Sequence, residues 1–212
     1  MPIFLPPSET GSPTFEELTE FFLGRGFDYL DPETAKRYIN DALSQLYEED
    51  YWPFLEAETT GVAPLTIDSL RQVLAVKLTD TSWRSNLQWV NHQVLERAGL
   101  DLAQPGFARY WYRDGDIQIK TWPVSDKEIT VRFLMVPPPL ESDSDASLIP
   151  DRYKILVSYI AERLAYEDSD NYEAASQIDN RYKEGLQRMR QNLLYPNLDS
   201  PDFVQTFRSD GV

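Results

Sequence analysis

Protein chemistry needs a nucleophile, a tuned acid–base pair, a metal cage or a phosphate cradle, and this chain of 212 residues offers few of them. It has no cysteine, so disulfides, cysteine-type zinc sites and thiol nucleophiles are excluded. His92 is its single histidine, so a multi-histidine metal site is impossible and any Ser-His-Asp triad would have to use it. Glu48-Glu49-Asp50 beside Tyr51 and Trp52 has the ingredients of a sugar-cleaving site, paired carboxylates next to aromatic faces. Thirty-five acids guarantee such neighbours, and the plainer reading is a solvated helix end beside core aromatics. Asp143-Ser-Asp145 and Asp168-Ser-Asp170 alternate acids as calcium loops do, but lack the central glycine and the bidentate glutamate, and read as caps and solvated loops. Gly24-Arg25-Gly26 lacks the strand and lysine of a phosphate loop. No serine has a nucleophile-elbow context. The expectation is a protein that is not an enzyme, with no catalytic residue, no metal and no cofactor, and with His92 partly buried on a helix.

Charge points the same way. Twenty Lys+Arg against 35 Asp+Glu give a net charge of −15. Phosphate binding needs clustered cations, so ordinary nucleic-acid binding is disfavoured. The acidity fits solubility, and it also fits a surface that must face nucleic acid without adhering to it. No apolar run reaches the length of a membrane span, and residues 1–7 lack the basic region of a signal peptide. The chain is expected to be soluble and to fold in a cytoplasm. Basic residues gather late, at Arg181, Lys183, Arg188 and Arg190. Arg181 and Arg188, seven apart, share one helix face, and Lys183 and Arg190 share another. Pairing with Glu173 or Glu184 and compensation of the helix dipole is one reading; a contact face for an acidic neighbour is the other.

The elements that carry these residues follow from periodicity and punctuation. Prolines, Gly11 and serines mark residues 1–13 as an extended arm. Thr14 and Glu17 form a capping box ahead of Phe15, Leu18, Phe21 and Phe22, and Gly24 and Gly26 stop that helix. Asp31-Pro32 starts a second helix, with Ala35, Tyr38, Ile39, Ala42, Leu43 and Leu46 on one stripe, running to about Glu49. Together these make a helical hairpin over 14–50. A strand is expected from Phe54 to Thr60 with Gly61 turning the chain, another around Leu74–Leu78, and a short helix from Asn86 to Arg97. Tyr110–Tyr112, Ile117–Ile119 and Ile129–Met135, separated by Asp114-Gly115 and Ser125-Asp126, predict a three-stranded meander that Pro137-Pro138-Pro139 ends. Pro150-Asp151 opens a long helix with Tyr153, Leu156, Val157, Ile160 and Leu164 on one face. Asp170 or Asn171 caps the next, which carries Ala175, Ile178, Tyr182, Leu186, Met189 and Leu193. Residues 195–212 read as an extended tail whose aromatics, Phe203 and Phe207, are suited to docking on a partner.

The fold expected is therefore α+β: mainly a helical bundle, with an N-terminal hairpin and a long helix pair over 150–194 around a β-rich insertion at 53–140, forming one domain over 14–194. The series Arg25-Gly-Phe-Asp-Tyr-Leu30, Tyr51-Trp-Pro-Phe-Leu-Glu56, Tyr110–Pro123, Val131–Pro137, Ile149–Leu156 and Ala165–Tyr172 resembles the head-to-tail adaptor, or head-completion, proteins of tailed bacteriophages. That resemblance implies a structural virion protein of the neck, assembled in the host cytoplasm. It implies docking on the portal protein, a twelvefold ring that extends the channel through which DNA passes without specific binding, and a platform for the tail or nozzle component. It maps the portal-reaching segment onto Tyr195, Pro196, Pro201, Phe203 and Phe207 by position, and it leaves Arg181, Lys183, Arg188 and Arg190 as candidates for contacts between copies. An acidic carbohydrate hydrolase and a cytoplasmic interaction domain unrelated to portals are the competing readings.

Overall fold

The computed structural model describes residues 11–79 and 86–194. The fold is mixed α+β. Two compact units make it up, one over Leu55–Pro138 and one from the described residues of 7–54 and 139–212.

The second unit holds four helices: α1 (Phe15–Phe22), α2 (Pro32–Glu48), α4 (Lys154–Asp168) and α5 (Tyr172–Leu193). The starts of α1, α2 and α5 are the capping devices expected, whereas α4 follows a 3-10 turn over Asp151–Tyr153 and has no side-chain cap. The Thr14 hydroxyl accepts from the Glu17 amide at 3.2 Å, and the Glu17 carboxylate accepts from the Thr14 amide at 2.9 Å. The Asp31 carboxylate accepts from the Thr34 amide ahead of α2, and Asn171, rather than Asp170, caps α5 by accepting from the Ala174 amide. Residues 11–13 are tied down in this unit, with the Ser147 amide donating to Pro13 and the Asp151 amide to Gly11; residues 1–10 lie outside the described residues.

Helix α4 is the centre of this unit, because it packs against α1, α2 and α5. Leu156, Val157 and Ile160 are buried as expected, but so are Ser158, Ala161, Glu162 and Ala165, so apolar surroundings cover more than one face. Gly185 lets α5 come close: a Cβ there would lie 2.4 Å from Cδ2 of the buried Leu156. Arg163 bonds Gln45 of α2 and Asp179 of α5, and Tyr38 of α2 donates to Asp168 at 2.6 Å. Glu162, 4% exposed, is held by the Arg25 guanidinium and accepts from the Ser158 hydroxyl at 3.0 Å. Arg25 reaches it from a widened π-type turn over Leu23–Phe27, which closes through Gly26 at φ 103°. The bond to Glu162 raises the Arg25 pKa above its ordinary value.

The first unit holds two sheets. One has the order β1 (Glu56–Val62), β7 (Glu128–Met135), β3 (Leu70–Leu78), all antiparallel. The other has the order β2 (Leu65–Thr66), β6 (Gln118–Trp122), β5 (Tyr110–Asp114), β4 (Gln88–Trp89). Three expectations are corrected here. The meander is a hairpin only: β5 and β6 pair around Asp114-Gly115, but β2 occupies the other edge of β6, and β7 becomes the central strand of the other sheet. With both edges paired, β7 also buries Thr130 and Leu134 on the face opposite Val131 and Phe133, while Glu128 and Arg132 on that face stay exposed. The helix expected from Asn86 starts only at α3 (His92–Arg97), because the Leu87, Gln88 and Val90 amides donate to Val76, Arg109 and Trp111 and draw 86–90 into the sheets. Gly61 does not turn the chain. It lies within β1 opposite Ile129, where a Cβ would meet Leu65 at 2.8 Å.

Arg25→Met would strand the Glu162 carboxylate in the core of the helical unit. Urea unfolding of that variant is expected to show a loss of about 3 kcal/mol, and Arg25→Met combined with Glu162→Gln to recover a large part of it. A single-variant loss at the level of a surface pair, below about 1 kcal/mol, would contradict this.

Candidate interface on the last helix

Helix α5 sorts its side chains by a period of 3.6 residues. Ala175, Ile178, Tyr182, Leu186 and Met189 are buried against the unit, and the basic residues lie off that stripe. They divide into two kinds. Lys183 pairs with Asp179 at 2.6 Å, one turn back on the same helix, and Asp179 also takes Arg163 at 3.3 Å. Arg190 bonds Asp50 at 2.8 Å and approaches Glu49 at 3.5 Å. Those two acids follow the C-terminal end of α2, where negative charge opposes the helix dipole, so Arg190 neutralises an unfavourable position. Glu173 and Glu184, the partners expected from spacing, take neither Lys183 nor Arg190. Arg181 and Arg188 are exposed and, among the described residues, form no ion pair.

Electrostatics within this set is local. The bond from Lys183, followed by the neighbouring Arg163, holds the Asp179 carboxyl below its ordinary value. Burial, and then the nearby charge of Glu49, raise the Tyr182 hydroxyl above its usual range, so it stays a neutral core group.

The other candidates from the sequence find structural roles. Asp50 is engaged by Arg190, and Trp52 is fully buried, donating its indole N–H to the Leu46 carbonyl at 2.7 Å and stacking on Phe54. Its faces are closed to a sugar. Asp143 pairs with Lys36, and the Asp145 carboxylate accepts from the Glu141 and Ser142 amides, which lower its pKa. Asp168 takes Tyr38. Among the described residues no three His, Cys, Asp or Glu side chains gather as a metal cage. His92, half-buried at the start of α3, stacks on Tyr112 with ring centres 5.4 Å apart and lies 3.3 Å from Glu96. It lines a cleft of about 320 Å³ in the β unit with Tyr112, Asp114 and Lys120. Tyr195, Pro196, Pro201, Phe203 and Phe207 lie outside the described residues.

Sequence reasoning missed the Arg25–Glu162 pair. Glu162 falls off the stripe read from Tyr153, and nothing in the sequence announces that α4 is enclosed on several sides. The cleft was missed because Ala63 and Pro64 reach it from a loop far from α3 in sequence.

What remains is a last helix on which Lys183 and Arg190 are paired within the fold and Arg181 and Arg188, among the described residues, are not. A family model described as SU10 adaptor protein matches residues 14–201, from the cap of α1 through both units to beyond α5. The chain belongs to the SU10 adaptor protein family. It is thus a phage structural adaptor of the head-to-tail class, as the order of its elements implied. No curated protein matches it. Of the aromatic residues in the tail of this adaptor, Tyr195 falls inside the match and Phe203 and Phe207 beyond it. Among the described residues no helix is long and apolar enough to cross a membrane.

Asp179 has a depressed folded-state pKa, so the stability it contributes is present above its unfolded value, ordinarily 3.8, and lost as pH falls through the lower folded value. Asp179→Asn is expected to cost this adaptor about 1 kcal/mol at pH 7, with the gap to the parent chain closing below pH 4 in denaturation curves. A gap that widens in acid would contradict the pairing.

Proposed function

We propose that this adaptor docks on the portal protein and that its copies close into a twelvefold ring extending the DNA channel. The ring then carries the tail or nozzle component. The observation that carries the reading is the family match running through both units of the chain. The work is adhesion between protein neighbours, done without a cofactor and without turnover, in the virion neck after assembly in the host cytoplasm. A ring requires a heterologous contact, one face of each copy on a different face of the next. Arg181 and Arg188 suit one side of such a contact because no acid among the described residues engages them, whereas Lys183 and Arg190 are committed within the fold. A net charge of −15 suits a channel component, since it offers passing phosphates little to pair with. The tail, with Tyr195, Pro196, Pro201, Phe203 and Phe207, supplies the segment that reaches along the portal, and burial of its aromatics there contributes to binding.

Co-sedimentation with purified portal tests both parts. The parent chain should sediment with the portal, and the Arg181→Ala/Arg188→Ala variant should do so more weakly, the deficit narrowing as salt screens the parent's charges. Deletion of residues 199–212 should leave a folded monomer that stays in the supernatant. Full occupancy by the truncated chain would refute the role of the tail, and unchanged decoration by the arginine variant would refute that of α5.

A further inference from the structure

The helical unit presents a second face that complements the arginine pair. Helix α1 packs inward through Phe15, Leu18, Thr19 and Phe22, against α2 and α4. Glu16, Glu17 and Glu20 are exposed on its other side. Glu17 is used in the capping box, but Glu16 and Glu20 have no side-chain partner among the described residues. The cations nearest in this part of the unit are committed elsewhere: Lys36 to Asp143 and Glu33, Lys154 to Asp151, and Arg25 to Glu162. Helix α5 packs on α4, and α1 packs on α4 and α2, so the exposed sides of α1 and α5 are separate surfaces of one unit. One carries carboxylates and the other guanidinium groups that, among the described residues, form no ion pair.

We infer that, in the assembled ring, Arg181 and Arg188 of one copy pair with Glu16 and Glu20 on α1 of the next. The inference rests on the ring reading above and names the surface that reading leaves open. Different surfaces meeting is the heterologous geometry that a closed ring needs, whereas like surfaces meeting would set arginine against arginine. The spacing is compatible: Arg181 and Arg188 are separated by about 10.5 Å along their helix axis and Glu16 and Glu20 by about 6 Å, a difference that two long guanidinium side chains converging on shorter glutamates can span. Glu184 lies between the arginines on α5, one turn from each, so that face holds two cations and one anion, while the α1 face holds carboxylates alone. Guanidinium groups bind carboxylates through paired N–H donors, which orients the contact as well as attracting it.

Charge reversal with rescue is the test, read as ring occupancy on purified portals by electron microscopy and sedimentation, with circular dichroism confirming each fold. Arg181→Glu/Arg188→Glu and, separately, Glu16→Arg/Glu20→Arg should each lower the apparent affinity for ring formation by about tenfold or more, two weak pairs lost and repulsion added. They move the net charge in opposite directions, so a shared loss is not an effect of total charge. The chain carrying all four reversals keeps the parent's net charge of −15 and should form rings again. If the four-fold variant stays as defective as the arginine variant, the arginines meet the portal or another partner and the inference is overturned while the ring reading stands. If the glutamate reversals leave rings intact, it is likewise overturned. If the parent chain forms no ring on portals, both the reading and the inference fall.

Discussion

Glu162 stands in the middle of α4 with 4% of its side chain exposed, and a carboxylate in that position has to be neutralised where it is. An unpaired buried charge costs several kcal/mol, a large part of the stability of an ordinary domain. The fold answers by bending the chain after α1 into a π-type turn, so that Arg25 lies over Tyr159 and Phe21 and faces the carboxylate. Ser158 supplies a second donor from the preceding turn. The bond fixes where α1 ends relative to α4, and with it the direction in which the outer side of α1 points. Arg163, one residue on, does the same for α2 and α5 through Gln45 and Asp179. Polar contacts made by two successive residues of one enclosed helix thus orient the other three.

Much of this architecture was legible in the chain. Capping boxes, Asp-Pro starts and stripes of apolar residues marked α1, α2, α4 and α5 because those signals are local: a Thr14 hydroxyl and a Glu17 carboxylate need only each other. Strand pairing was less legible because it is decided by competition between distant segments. Residues 129–135 alternate well enough to extend the hairpin before them, yet β1 and β3 claim both their edges, and the two-residue β2 takes the place left on β6. Residues 86–90 have helical spacing but lose to backbone bonds offered by Val76, Arg109 and Trp111. The charges followed the same division. A basic cluster on the last helix could be seen, but which members were already paired could not, since Arg190 finds Asp50 and Glu49 some 140 residues away.

The division between paired and unpaired charge connects the fold to the role of a phage adaptor. Pairs such as Arg25–Glu162 and Arg163–Asp179 sit in partly or fully enclosed surroundings, where a bond is specific and breaking it is costly. Exposed Arg181 and Arg188 contribute little to the stability of a lone copy. They are free to act when a second surface excludes water around them. For an adaptor, keeping these two sets apart would let contacts between proteins be tuned by salt and by complementarity without unfolding the subunit.

The central claim is that this chain is an assembly component whose function exists only in contact with its neighbours. Electron microscopy of the protein mixed with purified portal measures that directly: the account predicts a complete additional ring on the face of the portal where a tail would attach, with rotational symmetry matching it. Bare portals at saturating protein, with the chain remaining monomeric beside them, would contradict it.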